Sequence, residues 1–211
     1  MFFSKTRIFA ALIAATAMPA PSMAQDPVAI SEDGAHSQTS AAITFTKTIT
    51  ENATLALTDA DATDAEKLAN FQNVLTEGLA LETIGKFMLG SHRKTMTEAQ
   101  LSRYGATFPD YITKLYAEQF EDIIGKPLNV IDAKPIGSRD TIVRTLLEQK
   151  NGANAVTVDW RIRKLRSGEQ KAIDIIVSGV SIMLVKREEF SAFIATNGVD
   201  ALLDRLELEA A

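Results

Sequence analysis

The chain has no cysteine, two histidines and one tryptophan among 211 residues. Without cysteine there is no disulfide, no thiolate nucleophile and no Cys-based metal site, so stability must come from packing. His36 lies in a polar stretch and His92 in Ser91-His92-Arg93-Lys94, neither in a convincing metal-ligand spacing, so the expectation is no metal and no cofactor. No Gly-x-Ser-x-Gly, P-loop or Rossmann glycine pattern occurs. Ser91-x-x-Lys94 does match the S-x-x-K tetrad of penicillin-binding enzymes, but the S-D-N and K-T-G partners are missing and the serine follows a helix end. No catalytic residue can therefore be named, and the chain is expected not to be an enzyme. Positive charge is also in short supply. The 22 Lys+Arg against 27 Asp+Glu give a formal charge of -5, which argues against nucleic acid as a partner.

Long apolar runs are confined to the beginning. Lys5 and Arg7 precede an apolar run from Ile8 to Met18, Pro19 and Pro21 break it, and Ser22-Met23-Ala24 forms a small-residue site. The run is shorter than the roughly 20 residues that span a bilayer. The pattern predicts a cleaved secretory signal over 1–24, a flexible mature N-terminus over 25–38 and a single domain over 39–208. Two basic residues leave with the signal, so the mature chain counts 20 basic against 27 acidic residues, a formal -7.

What is present divides by hydrophobic period. Helical spacing runs from Thr39 to Leu57 and from Asp64 to Leu79, and a third short helix, Leu81 to Leu89, meets Gly90 as a C-cap. A fourth helix is expected behind a Thr95-x-x-Glu98 capping box, with a stripe of Leu101, Tyr104, Phe108, Ile112, Leu115 and Phe120 and a stop near Gly125; Pro109 should kink or split it. After Pro127 the period becomes two. Val156, Val158, Trp160 and Ile162 alternate with Thr157, Asp159, Arg161 and Arg163, the pattern of an antiparallel strand with one wet face. Similar runs at Leu128–Ala133, Thr141–Glu148, Lys171–Ser178 and Val180–Val185, with turns at Gly137-Ser138, Asn151-Gly152 and Ser167-Gly168, predict a meander of four or five strands. Two short helices, Glu188–Thr196 and Val199–Leu208, close the chain. The fold class expected is α+β: N-terminal helices, an antiparallel sheet and C-terminal helices.

Two patches carry a resemblance. Asp174, Gly179-Val180-Ser181, Arg187, Phe190 and Gly198 in one, and Phe87, Leu89, Gly90, Gln100, Phe108 and Tyr116 in the other, follow the order and spacing of the MlaC or toluene-tolerance family of periplasmic phospholipid-binding proteins. The chain departs from the family where Leu79-Ala80 stand for a frequent Phe-Asp, Ser91-His92 for an aromatic pair, Gln170 for Trp and Ser178 for Glu. Periodicity alone reads the apolar sheet positions as solid core. The resemblance implies instead an apolar cavity enclosed between sheet and helices and binding acyl chains. Its walls would be Phe87, Leu101, Tyr104, Phe108, Ile112, Leu115, Val156, Val158, Trp160, Ile173, Ile175, Val177 and Val180, with Arg93, Lys94, Arg163 and Arg187 as a headgroup or partner rim. It also implies a monomeric periplasmic carrier handling phospholipid between outer-membrane and inner-membrane lipid transport complexes. A hopanoid-associated paralogue binding another lipid, or a periplasmic enzyme on a related cone-like fold, are the alternatives. Gly179 is expected to turn the chain sharply between two strands, with Ser181 hydrogen-bonding at the bend.

Overall fold

Elements are defined here on a computed structural model that describes residues 32–120, 128–147 and 156–211. The signal segment, residues 25–31, the stop at Gly125 and the turn at Asn151-Gly152 lie outside the described residues. In chain order the elements are α1 (Glu32–Thr58), α2 (Asp64–Gly78), α3 (Leu81–Leu89), a 3-10 turn over Gly90–Lys94, and α4 (Glu98–Phe120). Then come β1 (Leu128–Ile136), β2 (Asp140–Leu147), β3 (Val156–Lys164), β4 (Gln170–Val177), β5 (Val180–Ser181), α5 (Ile182–Asn197) and α6 (Val199–Ala210). The strands form one antiparallel sheet in the order β1-β2-β3-β4-β5, an α+β fold as expected.

Helix starts follow capping chemistry. Thr63 and Glu66 form a reciprocal capping box at α2. The box at α4 is Thr97 with Gln100, not Thr95 with Glu98: Gln100 N donates to Thr97 Oγ1 (3.2 Å) and Thr97 N to Gln100 Oε1 (2.9 Å). Both tetrads fit the motif, and the 3-10 turn takes up Thr95, whose N–H donates to His92 O. Helix α4 runs through Pro109 without being split. Helix α1 begins at Glu32, so residues 32–38 of the expected flexible N-terminus are helical. Glu32 and Asp33 in the first turn suit the positive end of the helix dipole. One turn further on, Gln38 Nε2 donates to Asp140 O (2.8 Å) and reaches Thr141 Oγ1 (3.3 Å), fastening α1 to β2.

The sheet register puts Thr141, Val143, Thr145 and Leu147 of β2 beside Ile162, Trp160, Val158 and Val156 of β3, and Ile175 and Val177 of β4 beside Trp160 and Val158. This is the buried face, and α1 packs across it from β1 to β4. Its polar atoms are internally satisfied: Trp160 Nε1 donates to Thr145 Oγ1 (3.2 Å), which donates to Val158 O (2.7 Å). The other face carries an ionic lattice. Arg144 makes two hydrogen bonds of 2.9 Å to Asp159, and Arg161 and Arg163 both grip Asp140. Burial opposes ionisation of Asp140, but the bonds from Arg163 and Arg161 outweigh it and hold the carboxyl below the usual carboxylate range. Beyond the sheet, α4 packs on α6 and α2, and α3 on α5.

Candidate functional site

The sharp turn expected at Gly179 is a two-residue hairpin. Val177 pairs with Val180, and the loop residues Ser178 (φ 50°) and Gly179 (φ 84°) both have positive φ. The continuation differs from expectation. Strand β5 is only Val180–Ser181, and Ile182–Val185 is the first turn of α5 instead of a strand. Ser181 decides this: its Oγ accepts from Leu184 N (3.0 Å) as an N-cap and donates to Asp174 Oδ2 (2.6 Å). Asp174 Oδ1 in turn accepts from Met183 N (3.3 Å), placing a carboxylate against the start of α5. Burial pushes the Asp174 carboxyl above its ordinary value, and the bonds from Ser181, Met183 and Ile175 offset part of that rise. Val180, 56% exposed at the hairpin's end, faces solvent and does not line the interior as expected.

The two sequence patches meet in space. Arg187 of α5 lies over the Phe87 ring of α3 at 4.5 Å from its centroid. Gly90 has a φ of 53°, and a β-carbon there would stand 3.3 Å from Arg187 Nη2, so glycine serves both the turn and the close approach. His92 Nε2 is 3.2 Å from Ser191 Oγ, and Gln100 Nε2 donates to Asp200 Oδ1 (2.8 Å), tying the second patch to α5 and α6. Phe108 and Phe190 are joined through Tyr111, with ring centroids 6.4 Å and 5.9 Å from it. Phe87 is therefore a half-exposed platform for Arg187 and not an interior wall. Of the expected rim residues, Arg187 is held by this brace, Arg163 is bound to Asp140, and Arg93 and Lys94 are exposed.

The remaining expected wall residues fall in three places. Ile112, Val158, Trp160, Ile173 and Ile175 are buried in packed core, with Val156 and Val177 half-buried against it. Leu101, Tyr104 and Phe108, together with Arg93, line a recess of about 330 Å3 between α3 and α4, whose other walls include Leu81, Gly85, Leu89, Gly105 and Pro109. Tyr104 lies in this wall with its hydroxyl donating to Gly85 O (3.1 Å), and burial pushes that hydroxyl's pKa up. Leu115 borders a smaller surface recess with Tyr111, Lys114, Leu208 and Glu209.

Larger spaces flank α1. A cleft of about 920 Å3 opens between α1, α2 and the β3–β4 turn, lined by Phe45, Ile49 and Val74 and by Ser37, Thr44, Thr48, Asn52, Glu77, Gln170 and Lys171. Another, of about 730 Å3, lies between α1 and β1, beside Thr50, Thr54, Leu55, Leu128 and Val130. Helix α1, 27 residues long, fully buries Ala42, Thr46 and Ile49, packs Ile43, Phe45, Ala53, Ala56 and Leu57 half-buried against the core, and has a cleft along each side. The expected wall set contains none of the α1 and α2 residues in these clefts. Their one sequence signal is the row of hydroxyl residues along α1, whose members Thr46, Thr50, Thr54 and Thr58 each donate to the carbonyl four residues back. Among the described residues no group of three or more His, Cys, Asp or Glu is placed to hold a metal ion, and no helix is long and apolar enough to cross a membrane.

Comparison with known proteins gives this arrangement its relatives. The family model described as MlaC protein matches residues 47–208. The intermembrane phospholipid transport system binding protein MlaC of Haemophilus influenzae is 26% identical over 141 residues, 66% of this chain and 66% of that protein. The fold is that of the phospholipid-binding protein from Ralstonia solanacearum solved in complex with a phospholipid: the TM-score is 0.67 at 18% identity, over 80% of this chain and 96% of the other. With α2 to α5, the meander and the signature residues inside the span that the family model covers, the chain belongs to the MlaC family.

Proposed function

We propose that this chain is a periplasmic phospholipid carrier of an Mla-type intermembrane lipid transport system. The observation that carries the reading is the seating of α1: it packs across the apolar sheet face and on α2, and a cleft opens along each of its sides. Acyl chains enter the larger cleft beside α1, against Phe45, Ile49 and Val74. The family match and the relative named as an intermembrane phospholipid transport binding protein support the cargo. An exported chain without metal or nucleotide motifs fits a carrier that docks on membrane complexes at either end of its route.

The physical need is large. Each methylene moved from water to an apolar surrounding gains about 0.8 kcal/mol, so two chains of roughly 15 methylenes cost on the order of 20 kcal/mol in open water. A protein that meets them with Val, Ile, Leu and Phe replaces the bilayer interior with a similar environment, and transfer becomes near neutral. Catalysis is not required. Native mass spectrometry of the protein purified from its own periplasm tests this: a monomer carrying a diacyl phospholipid is expected, while a bare chain or a sterol-like mass would overturn the cargo.

A further inference from the structure

The recess between α3 and α4 shares no lining residue with the clefts beside α1. Its walls are Leu81, Leu89, Leu101, Tyr104 and Phe108, and the tyrosine hydroxyl is spent on Gly85 O, leaving an apolar interior. Charge occurs only at Glu82, Lys86 and Arg93. Glu82 pairs with Lys86, so the mouth keeps one net positive charge. Apolar walls with one net positive charge among their charged side chains match an amphiphile with a negative head.

Gly105 shows that the space is kept open. It stands inside α4, where glycine is among the least favourable residues, and its φ is not in the left-handed range. A β-carbon there would meet nothing within 4 Å. Neither backbone conformation nor packing requires glycine at this position; its effect is to leave room in the recess it lines. Pro109, four residues on and also in the wall, has no N–H to return to the Gly105 carbonyl. The same wall therefore offers a backbone acceptor released from the helix ladder.

We propose that this recess is a second site, separate from the phospholipid clefts, that binds a single aliphatic chain ending in an anion, with the chain between α3 and α4 and the anion at Arg93. Its volume of about 330 Å3 sits at the lower end of the roughly 300–1,000 Å3 usual for small-molecule sites, a size for one chain and not two. A free fatty acid and a lysophospholipid share this chemistry.

Calorimetric titration of the purified chain with palmitate, palmitoyl lysophosphatidylglycerol and hexadecanol tests the site, with bound diacyl phospholipid quantified in the same samples. Binding of either anionic amphiphile supports the site and identifies its source; binding of neither overturns it. Each methylene removed from the chain should weaken binding about fourfold. Gly105→Leu adds a side chain to the recess wall, starting from a β-carbon that meets nothing within 4 Å, and improves the helix, so it should weaken anionic-chain binding at least tenfold while thermal midpoint and diacyl phospholipid content hold. Arg93→Gln should weaken palmitate and leave hexadecanol unchanged. Palmitate binding equally well to Gly105→Leu, or displacing the diacyl lipid one for one, would overturn the separate site.

Discussion

Helix α2 meets α1 through a glycine, and adding one methyl group there should reveal how α1 is seated. A β-carbon on Gly78 of α2 would stand 1.7 Å from Ile49 Cδ1 and 3.0 Å from its Cγ1. Ile49 is one of three residues α1 buries, so Gly78→Ala forces it off its rotamer or pushes the helix outward. Overpacking costs about 1–3 kcal/mol. Alanine's helix advantage over glycine, up to about 1 kcal/mol, is reduced at the last residue of α2. The net expectation is a loss of about 1–2 kcal/mol, or a fall in thermal midpoint of roughly 2–8 °C at this size. Ile49→Val alone removes the clashing methyl and should cost about 0.5–1.5 kcal/mol. In the double variant the added and removed methyls compensate, so Gly78→Ala/Ile49→Val should be no less stable than Gly78→Ala, with a coupling of about 1 kcal/mol. Urea unfolding of the four proteins measures it. Strict additivity would refute the contact as the cause, and with it the seating of α1 on α2 through this pair. Both residues line the 920 Å3 cleft, so bound phospholipid should fall in Gly78→Ala and recover in the double variant.

Two other sites give independent tests. Arg187→Ala should cost about 1–2 kcal/mol in urea unfolding through lost cation–π contact and stem packing, Arg187→Lys less, and the effect of Arg187→Ala should shrink in a Phe87→Leu background. Asp140→Asn should lose about 1.5–3 kcal/mol at pH 7, because hydrogen bonds to a charged partner are the stronger kind. The folded carboxyl lies below its unfolded value of about 3.9, so its contribution is full above that pH and lost as pH falls through the folded value. The gap between wild type and Asp140→Asn in pH-dependent unfolding should therefore close below about pH 4, and a gap constant down to pH 2 would contradict the assignment.

Periodicity made most elements legible because each strand or helix buries one face. The Val156 to Ile162 alternation specified its own inward side, and the signature glycine at 179 specified its turn. The β5–α5 boundary was not legible. Ile182-Met183-Leu184-Val185 reads as strand from composition, and only the position of Asp174 one strand away makes Ser181 a cap instead of a ladder residue. The engagement of Arg163 was not legible for a related reason. Arg163 and Asp140 are cross-strand partners, so whether the guanidinium is free depends on register, which the sequence of either strand alone does not carry. The larger cleft beside α1 depends on how closely α1 and α2 approach, and that distance hangs on Gly78, a glycine at a helix end with no periodic signature.

The signature residues themselves bear on frame more than on cargo. Asp174 and Ser181 start α5, Phe87, Gly90 and Arg187 clamp α3 to α5, Gln100 clasps α6, and Phe108 reaches Phe190 through Tyr111. These contacts fix the helical half of the molecule. The departures from the family pattern fall partly elsewhere. Gln170, where the family often has Trp, lines the large cleft beside α1, and Leu79-Ala80 follow Gly78 directly, with Ala80 N donating to Ala172 O (2.9 Å). A glutamine fills less space than an indole and brings an amide to the cleft wall. The brace can thus be retained while the volume and polarity next to α1 change. Lipid selectivity in this chain should be sought at α1, Gly78 and Gln170, not among the residues by which the family is recognised.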